Sequence, residues 1–483
     1  MNIVSPILAQ AQHQPTALAI CVPGATDPII SYGRLAAMLN NVARHARAAG
    51  LKRGDTVAVS VADAILHLVL TLGLMRIGIA SITPGGFAVP AEIPIAATLT
   101  DTSAPTGGRS IFAGRQWMAG DGAPPSENPD DHDRDNTARI VLTSGTTGDP
   151  KGVALSHDMV TRRVAAFSFA FGGRIAQCSR LFVDVGLSSN YGFQWILWVL
   201  SRGGALFLRG TDAAETLQAF ELHKVQGMVA SPFGLAEFVS LYEQSPAFVC
   251  PFEVILAGGS ITWAALADRV RLRMCSHLVT SYAASEISPV AAAPYHQIAA
   301  VAGAVGYVCA GVTVQVVDDA DRPLAPGETG TIRIRGEFGV DGYVGNPPGS
   351  ERTFRNGWFY PSDIGSVSAD GVLVISGRQT AVLNIGGNKI GPEAVEQIVL
   401  GFTAVQEAGA FGVKNEFGID EVWTAIVASP GIDEAELHRH CQSRLPAAFV
   451  PRRFLLVSAL PRNANGKLDR RRLSDLAGPA DNR

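Results

Sequence analysis

The stretch from Val141 to His157, VLTSGTTGDPKGVALSH, places a loop of glycines and hydroxyl residues between two short apolar runs. The runs on either side, ARIVLTSG and GVALSH, alternate in polarity or are rich in β-branched residues, which is typical of strands. Glycine, proline and aspartate between two such runs indicate a turn or loop. We therefore expect a mobile loop that joins two strands.

This loop carries the donors that a polyphosphate needs. They are the hydroxyls of Ser144, Thr146 and Thr147, the backbone N–H groups of Gly145 and Gly148, and the ammonium group of Lys151. It is not a Walker A loop, in which the lysine directly follows the second glycine and precedes Ser or Thr. Here Pro150 precedes Lys151 and Gly152 follows it. On this loop alone, an ordinary Gly/Thr hairpin tip remains the alternative.

Length and composition restrict the class of protein. At 483 residues the chain exceeds what one hydrophobic core usually covers, so we expect at least two domains. Apolar residues make up 47% and charged residues 17%, which favours a well-buried globular enzyme over a disordered or fibrous protein. The formal net charge of −4 gives no long-range attraction for a nucleic acid or an anionic membrane. We therefore expect no nucleic-acid partner.

Cysteine spacing and the N-terminus point to a cytoplasmic protein. The six cysteines show no C-x-x-C spacing, so neither a zinc ribbon nor a disulfide framework is indicated. The first residues lack the basic region of a signal peptide. The longest apolar run, ILHLVLTLGLMRIGIASI, is interrupted by His67 and Arg76, and we interpret it as a buried helix followed by a strand. No membrane insertion is expected.

Helical periods alternate with short β-branched runs in the first half of the chain, which predicts an α/β fold. From about Gly303 the pattern changes to strands and turns, as in VTVQVVDDADRPLAPGETGTIRIRG, which indicates a β-rich module. A helix that begins at Pro392 follows, with alternating strands and helices to the end. We place a domain boundary near Gly377, giving domains of residues 1–377 and 378–483.

The pattern TSGTTGxPKG resembles the signature loop of the adenylate-forming superfamily, which comprises acyl-CoA synthetases, adenylation domains of nonribosomal peptide synthetases, and luciferases. Seven further segments resemble other motifs of that superfamily in the same order. They are GDTVAVSVADAILHLVLTLGLMRIGIASITPG (54–85), ILAGGSIT (255–262), SYAASEIS (281–288), GETGTIRIRG with DGYVGNP, GWFYPSDIG, GRQTAVLNIGGNKIGPEAVE and PRNANGKLDRR. The resemblance implies a large N-terminal domain of stacked sheets flanked by helices, a β-rich subdomain, and a small mobile α+β domain at the C-terminus.

The resemblance also implies a two-step reaction. A small carboxylic acid attacks ATP in the presence of Mg²⁺ and forms an acyl-adenylate and pyrophosphate. A thiol, on coenzyme A or on the phosphopantetheine of a separate carrier protein, then takes the acyl group. Bringing two anions together at the α-phosphorus requires a site that neutralises charge, so Mg²⁺ and lysines are the groups to look for.

Site residues are carried over position by position. Lys467 would bridge the carboxylate and ATP, Glu286 would hold Mg²⁺, and Lys151 would contact phosphate, so these three are the expected catalytic residues. Asp363 would accept hydrogen bonds from both ribose hydroxyls. The expected nucleotide-binding residues are Thr143, Ser144, Gly145, Thr146, Thr147, Gly148, Lys151, Gly258, Gly259, Tyr282, Ala283, Ser285, Asp363, Arg378 and Lys389.

Several positions depart from the superfamily pattern. Thr380 and Ala381 stand at the hinge where Asp or Lys is usual, so the rotation of the C-terminal domain could pivot elsewhere. Lys389 replaces an arginine and lacks its planar fork. Pro361 and Ser362 replace the Thr-Gly pair before Asp363, Ala283 replaces a glycine, and Ser285 replaces a threonine.

The acid-binding side is expected in DVGLSSNYGFQW, where Ser189 holds the position of a common histidine. We expect Ser189, Asn190, Tyr191 and Phe193 to line the acid pocket. Asp184 lies too early to pair with an α-ammonium group, which favours an acid that lacks one. Two alternatives remain: a stand-alone enzyme that adenylates an amino acid and loads a carrier protein, and a non-catalytic nucleotide-binding homologue.

Overall fold

A computed structural model describes residues 1–85, 87–102, 108–123, 135–144, 150–345, 347–379, 383–385, 388–414, 420–462 and 468–477. For a few residues at the ends of these ranges, among them Ser144 and Lys389, only the backbone is described.

The described ranges contain fourteen α-helices. In chain order they are α1 Ser5–His13, α2 Tyr32–Ala48, α3 Ala64–Arg76, α4 His157–Ala170, α5 Gly173–Gln177, α6 Asn190–Ser201, α7 Ala213–His223, α8 Pro232–Gln244, α9 Ala264–Arg273, α10 Tyr295–Ile298, α11 Pro347–Thr353, α12 Pro392–Leu400, α13 Glu434–Gln442 and α14 Arg470–Ser474.

The same ranges contain twenty-six strands. They are β1 Leu18–Cys21, β2 Ile29–Ser31, β3 Thr56–Ser60, β4 Ala80–Ile82, β5 Ala97–Thr100, β6 Ser110–Phe112, β7 Thr137–Ser144, β8 Pro150–Ser156, β9 Arg180–Asp184, β10 Ala205–Phe207, β11 Gly227–Ala230, β12 Val254–Ala257, β13 Leu278–Ala284, β14 Ser288–Pro294, β15 Ala304–Val308, β16 Val312–Val317, β17 Gly330–Gly336, β18 Phe354–Arg355, β19 Trp358–Phe359, β20 Asp363–Val367, β21 Val372–Arg378, β22 Leu383–Ile385, β23 Asn388–Ile390, β24 Val405–Lys414, β25 Asp420–Ala428 and β26 Arg453–Leu456.

Two large sheets organise the first four-fifths of the chain. The smaller has the strand order β6-β5-β3-β4-β7-β8, with only β7 and β8 antiparallel. The larger has the order β18-β19-β17-β20-β21-β15-β14-β13-β12-β11-β9-β10-β1-β2, with β16 beside β17. In this sheet β1, β10, β9, β11, β12 and β13 run parallel, whereas β2 at one edge and the strands from β14 onward pair antiparallel with their neighbours. The β-rich module predicted after Gly303 therefore continues the parallel sheet.

Helices α3 and α6 are apolar around almost their whole circumference, and nearly every residue in them is buried. A helix with that composition is stable only inside a core. Both contribute to one hydrophobic cluster that also includes apolar residues of both large sheets. The α/β class and the layered N-terminal architecture predicted from the sequence are therefore confirmed.

The C-terminal segment has a core of its own, formed by α12, α13 and the sheet β24-β25-β26. It contacts the preceding part of the chain at two aromatic side chains. Trp263 packs against the C-terminal core, and the Arg462 guanidinium lies 4.0 Å from the centre of the Phe233 ring. Within the described ranges, none of the helices combines the length and hydropathy needed to cross a bilayer.

Candidate active site

Strands β7 and β8 form the antiparallel pair that the loop sequence predicts. Thr143 pairs with Lys151, and Ser144 with Pro150. The loop residues Gly145, Thr146, Thr147 and Gly148 lie outside the described ranges. Lys151 is 8% exposed, and burial lowers the pKa of its ammonium group, an effect that Glu286 partly offsets. The hairpin therefore holds a desolvated cation at its base.

Three residues predicted to bind the nucleotide lie in direct contact. The Tyr282 hydroxyl donates to Asp363 Oδ2, and Arg378 Nε donates to Asp363 Oδ1 at 2.9 Å. Their strands β13, β20 and β21 belong to the large sheet, where Asp363 and Arg378 are register partners. The buried Asp363 carboxylate is thus oriented by a phenol and a guanidinium. A fixed orientation suits a carboxylate that is expected to accept hydrogen bonds from two hydroxyls.

Ser362 has a positive φ of 65°, and it stands where the superfamily pattern has glycine. A side chain costs energy in this left-handed conformation, which glycine adopts freely. Its carbonyl accepts from the Gln379 N–H at 2.8 Å. Ser362, Gln379 and Lys151 line the same cavity of about 310 Å³. This cavity therefore extends from Ser362, the residue before Asp363, to Lys151 in strand β8.

Glu286 and Lys151 contact different parts of Tyr343, its hydroxyl and its ring. The Tyr343 hydroxyl donates to Glu286 Oε1 at 2.8 Å, and the Lys151 ammonium lies 4.8 Å from the centre of the Tyr343 ring. Burial raises the pKa of the Glu286 carboxyl, and the Tyr343 hydroxyl lowers it in part. The site therefore holds a buried carboxylate and a buried ammonium that contact the same aromatic side chain.

Arg163 in α4 is a positioning residue that sequence analysis missed. It is fully buried, and its guanidinium donates to the carbonyls of Ser285 at 2.7 Å, Glu286 at 2.9 Å and Phe338 at 2.6 Å. These bonds join the turn that carries Glu286 to the segment that leads to Tyr343. The only signal for Arg163 was its place in an apolar helical segment beside Arg162, which is exposed to solvent and pairs with Asp158.

A divalent cation here would depend on its substrate for ligands. The described residues contain no group of three or more His, Cys, Asp or Glu side chains that could hold a metal ion alone. Magnesium is commonly bound by one or two carboxylates together with substrate phosphates. Glu286 is buried and lies close to Lys151 of the β7–β8 hairpin, so it fits that arrangement.

Tyr191, one of the expected acid-binding residues, lies beside Gly258 in the segment ILAGGSIT. The Tyr191 hydroxyl lies 3.2 Å from Ser281 Oγ. The Ser281 hydroxyl in turn donates to the Ala257 carbonyl at 3.2 Å. A Cβ at Gly258 would lie 2.8 Å from the Tyr191 ring, which explains why this position is glycine. Burial raises the pKa of Tyr191 to about 12, so the phenol is neutral.

Asn190 begins α6 and takes part in a buried chain of polar contacts. Gln194 Nε2 donates to Asn190 Oδ1 at 3.0 Å, and the Ser288 hydroxyl donates to Gln194 Oε1 at 3.2 Å. This chain links the first turn of α6 to the residue two positions after Glu286. Ser189 precedes the helix as its N-cap residue, with no capping bond from its side chain.

Phe193 faces the interior. It is 1% exposed, and the Arg139 guanidinium lies 4.0 Å from its ring centre. Arg139 is equally buried and also donates to the Leu187 carbonyl, so it contacts the loop before α6 from the protein interior. Its Nε and Nη1 atoms have no hydrogen-bond partner within the described part of the chain. Sequence analysis missed this second buried arginine as well.

Asp184 is already paired with an arginine of the protein. Both of its carboxylate oxygens accept from Arg209, at 2.8 and 2.9 Å, and Arg209 also contacts Glu237. Two further predicted positions, Gly259 and Ala283, have no polar side chain. Gly259 adopts a positive φ, and Ala283 is exposed. Lys389 is described in backbone only, and Thr380, Ala381 and Lys467 lie outside the described ranges.

Two family models match the chain. Residues 96–344 match the AMP-binding enzyme family, and residues 394–467 match the AMP-binding enzyme C-terminal domain. A 2-succinylbenzoate–CoA ligase of Bacillus licheniformis is 29% identical over 70% of each chain. The fatty acid–[acyl-carrier-protein] ligase MmaC of Mycobacterium marinum is 27% identical over 99% of this chain and 98% of its own.

The fold is also found among solved structures. The o-succinylbenzoate CoA synthetase MenE of Bacillus subtilis, in complex with ATP and magnesium, has a TM-score of 0.81 at 22% identity over 97% of this chain and 99% of its own. The first family model, over residues 96–344, alone covers half of the present chain. The chain belongs to the AMP-binding enzyme family of the adenylate-forming superfamily and is an ATP-dependent, AMP-forming ligase.

Proposed function

We propose that this ligase uses MgATP to convert a carboxylic acid without an α-ammonium group into an acyl-adenylate, and then passes the acyl group to an external thiol. The observation that carries the proposal is that Arg378 donates to Asp363 and that Glu286 and Lys151 both contact Tyr343. Each of the four charged residues matches a superfamily motif, and each has the chemistry that its role needs.

The nucleotide roles follow from the contacts. Asp363 accepts from the ribose hydroxyls, and Arg378 holds that carboxylate in place. Lys151 contacts phosphate from the base of the hairpin, and Glu286 supplies the one protein carboxylate to Mg²⁺. The metal, once bound with the triphosphate, would neutralise charge as pyrophosphate leaves. Lys467 would bring a further positive charge to the reacting carboxylate.

The character of the acid follows from the other side of the site. Tyr191 and Ser281 present neutral hydroxyls, and Asp184 is already paired with Arg209. An α-ammonium group would therefore lose its hydration without gaining this carboxylate, which is costly. This disfavours the amino-acid-adenylating alternative. The retained charged residues disfavour the non-catalytic alternative.

The acyl acceptor is a thiol on coenzyme A or on a carrier protein. Relatives of both kinds align with the chain, and the carrier-protein ligase MmaC aligns over nearly all of it. Both acceptors end in the same pantetheine arm, so the region around Glu286 does not distinguish them. Release of AMP with free coenzyme A, compared with a carrier protein bearing phosphopantetheine, separates the two.

The first test is acid-dependent exchange of labelled pyrophosphate into ATP with a panel of aryl, short and long aliphatic, and amino acids. Wild type should exchange with one group of acids. Lys467→Ala should lower the exchange rate by about a hundredfold or more, as expected when a preorganised positive charge is removed from a transition state. Lys414→Ala removes an exposed lysine from the same C-terminal segment and should leave exchange unchanged.

Two results would contradict the proposal. Exchange with none of the acids, despite ATP binding, would favour the non-catalytic homologue. Exchange confined to amino acids would restore the amino-acid alternative and show that another group replaces Asp184.

A further inference from the structure

We propose that Tyr343 is a positioning residue that keeps Glu286 and Lys151 apart, so that the carboxylate stays available to Mg²⁺ and the ammonium to phosphate. This inference rests on the proposed function, because it assigns Tyr343 a task within the same site. It concerns a residue of the DGYVGNP segment to which sequence analysis gave no role.

The backbone around Tyr343 spans the distance between the two charged residues. At one end of the segment, the Val340 N–H donates to the Glu286 carbonyl at 2.9 Å. At the other end, the Val344 N–H donates to the carbonyl of Gly152, the residue after Lys151, at 2.8 Å. Five residues thus connect the turn of Glu286 with strand β8. Tyr343 lies on this connection and contacts the side chains of both Glu286 and Lys151.

Further contacts hold Tyr343 in one orientation. Its backbone N–H donates to Ser350 Oγ at 2.8 Å, and its ring meets the Phe354 ring edge-on with centroids 5.3 Å apart. Arg163 holds the Glu286 carbonyl and the Phe338 carbonyl together on the opposite side. The phenol therefore reaches Glu286 from a rigid support, as a residue that orients a ligand-binding group requires.

The chemistry of tyrosine suits a separator. Without it, the buried carboxylate and the buried ammonium that now contact this one side chain would favour a direct ion pair, because an unpaired buried charge is costly. A direct pair would use the groups that the triphosphate and its metal need. The phenol instead gives the carboxylate a hydrogen bond without cancelling its charge. The ring face attracts the ammonium weakly enough for phosphate to displace it.

The experiment measures binding of α,β-methylene-ATP by calorimetry, with and without Mg²⁺ and with no acid present. Tyr343→Phe keeps the ring and loses the hydroxyl. This variant should need about tenfold more Mg²⁺ to reach half of the Mg²⁺-dependent increase in nucleotide affinity, because a hydrogen bond to a charged group is lost. Its nucleotide affinity without Mg²⁺ should stay within twofold of wild type. Tyr343→Leu loses both contacts, so the Mg²⁺-free affinity should also fall, by about threefold or more.

Two controls separate positioning from general loosening. Tyr32→Phe removes another buried hydroxyl, one that donates to the Leu200 and Gly204 carbonyls far from the site, and should change neither binding quantity. In a Glu286→Gln background, Tyr343→Phe should have no further effect on Mg²⁺ dependence, because the pair acts as a unit.

The proposal is overturned if Tyr343→Phe matches wild type in Mg²⁺ dependence, or if it weakens Mg²⁺-free and Mg²⁺-dependent binding equally. It is also overturned if the effect persists fully in the Glu286→Gln background. Failure of the proposed function looks different, because wild type itself would then show no Mg²⁺-dependent nucleotide binding.

Discussion

The side of the site that we propose for the nucleotide differs in chemistry from the side that we propose for the acid. On the nucleotide side, Asp363, Arg378, Glu286 and Lys151 are charged or strongly polar, and each contacts a specific partner. On the acid side, neutral groups such as Tyr191 form the surface, and the cation Arg139 supports the loop from the interior. Recognition of phosphate and ribose demands fixed charges, whereas recognition of an acyl group depends on shape.

The largest expected effect tests whether the two sides are separable. Asp363→Asn should weaken AMP binding about a hundredfold, because it removes the charge that orients Arg378 and accepts from ribose. The KM for the acid should change less than threefold. Calorimetry with AMP and steady-state exchange kinetics give the two numbers. An equal loss in both would break the distinction between the sides.

Acid pH should weaken the support behind the acid side. Burial and, to a smaller extent, Arg139 lower the pKa of His67 to about 4, and its Nε2 lies 2.9 Å from Thr83 Oγ1. Because the folded pKa lies below the usual value of about 6.5, the unfolded chain takes up the proton first as the pH falls. Its contribution to stability is complete above about pH 6.5 and is lost toward pH 4.

Between pH 7 and pH 5 this loss amounts to about 2 kcal/mol in the free energy of unfolding. His67→Asn should therefore flatten the pH dependence measured by urea unfolding. His13→Asn, at the exposed end of α1, serves as the control and should not. An unchanged slope in the His67 variant would show that the acid side does not depend on this buried histidine.

A third substitution sharpens the role of shape. Tyr191→Ala should raise the KM of the preferred acid about tenfold and admit longer acids, because it removes a ring from the wall of the acid site. Tyr191→Phe should have a smaller effect, since only the contact with Ser281 is lost. AMP affinity measured alone should change less than the KM for the acid, because the ring only borders the turn at Gly258. If acid preference does not change, Tyr191 belongs to the scaffold and not to the pocket.

The smallest expected effect concerns backbone strain beside Asp363. Ser362→Gly should relieve the left-handed conformation, and the gain, reduced by the entropy of a freer unfolded chain, should be about 0.5 kcal/mol in unfolding free energy. Asn356 has a φ of 52°, but asparagine tolerates this region, so Asn356→Gly should gain less. Equal gains would mean that Ser362 is not specially strained.

The residues proposed for the nucleotide side were named from two kinds of signal: the glycine- and hydroxyl-rich loop before Lys151, and the resemblance of the segments around Glu286, Asp363 and Arg378 to superfamily motifs. Lys151, Glu286, Asp363 and Arg378 were named from such patterns, and the structure brings them into contact chains. The strands on either side of the loop were equally visible, because alternating polarity reports directly on a half-buried strand.

Arg163, Arg139 and the role of Tyr343 were not predictable for one common reason. Each acts through backbone carbonyls or ring faces contributed by distant segments, such as Phe338 for Arg163 and Leu187 for Arg139. A carbonyl acceptor is present at every residue, so the sequence does not mark which ones a buried guanidinium will meet. Only the packing of α4 and α6 between the sheets selects them.

The Tyr191 ring occupies the space that a side chain at Gly258 would need, so one ring borders both the turn that we propose for adenine and the surface that we propose for the acid. A ligand on either face restricts the same side chain. The second ligand then binds to a ring that has already lost its freedom and pays less entropy. Nucleotide and acid should accordingly bind with positive cooperativity, and linkage requires the gain to be identical whichever arrives first.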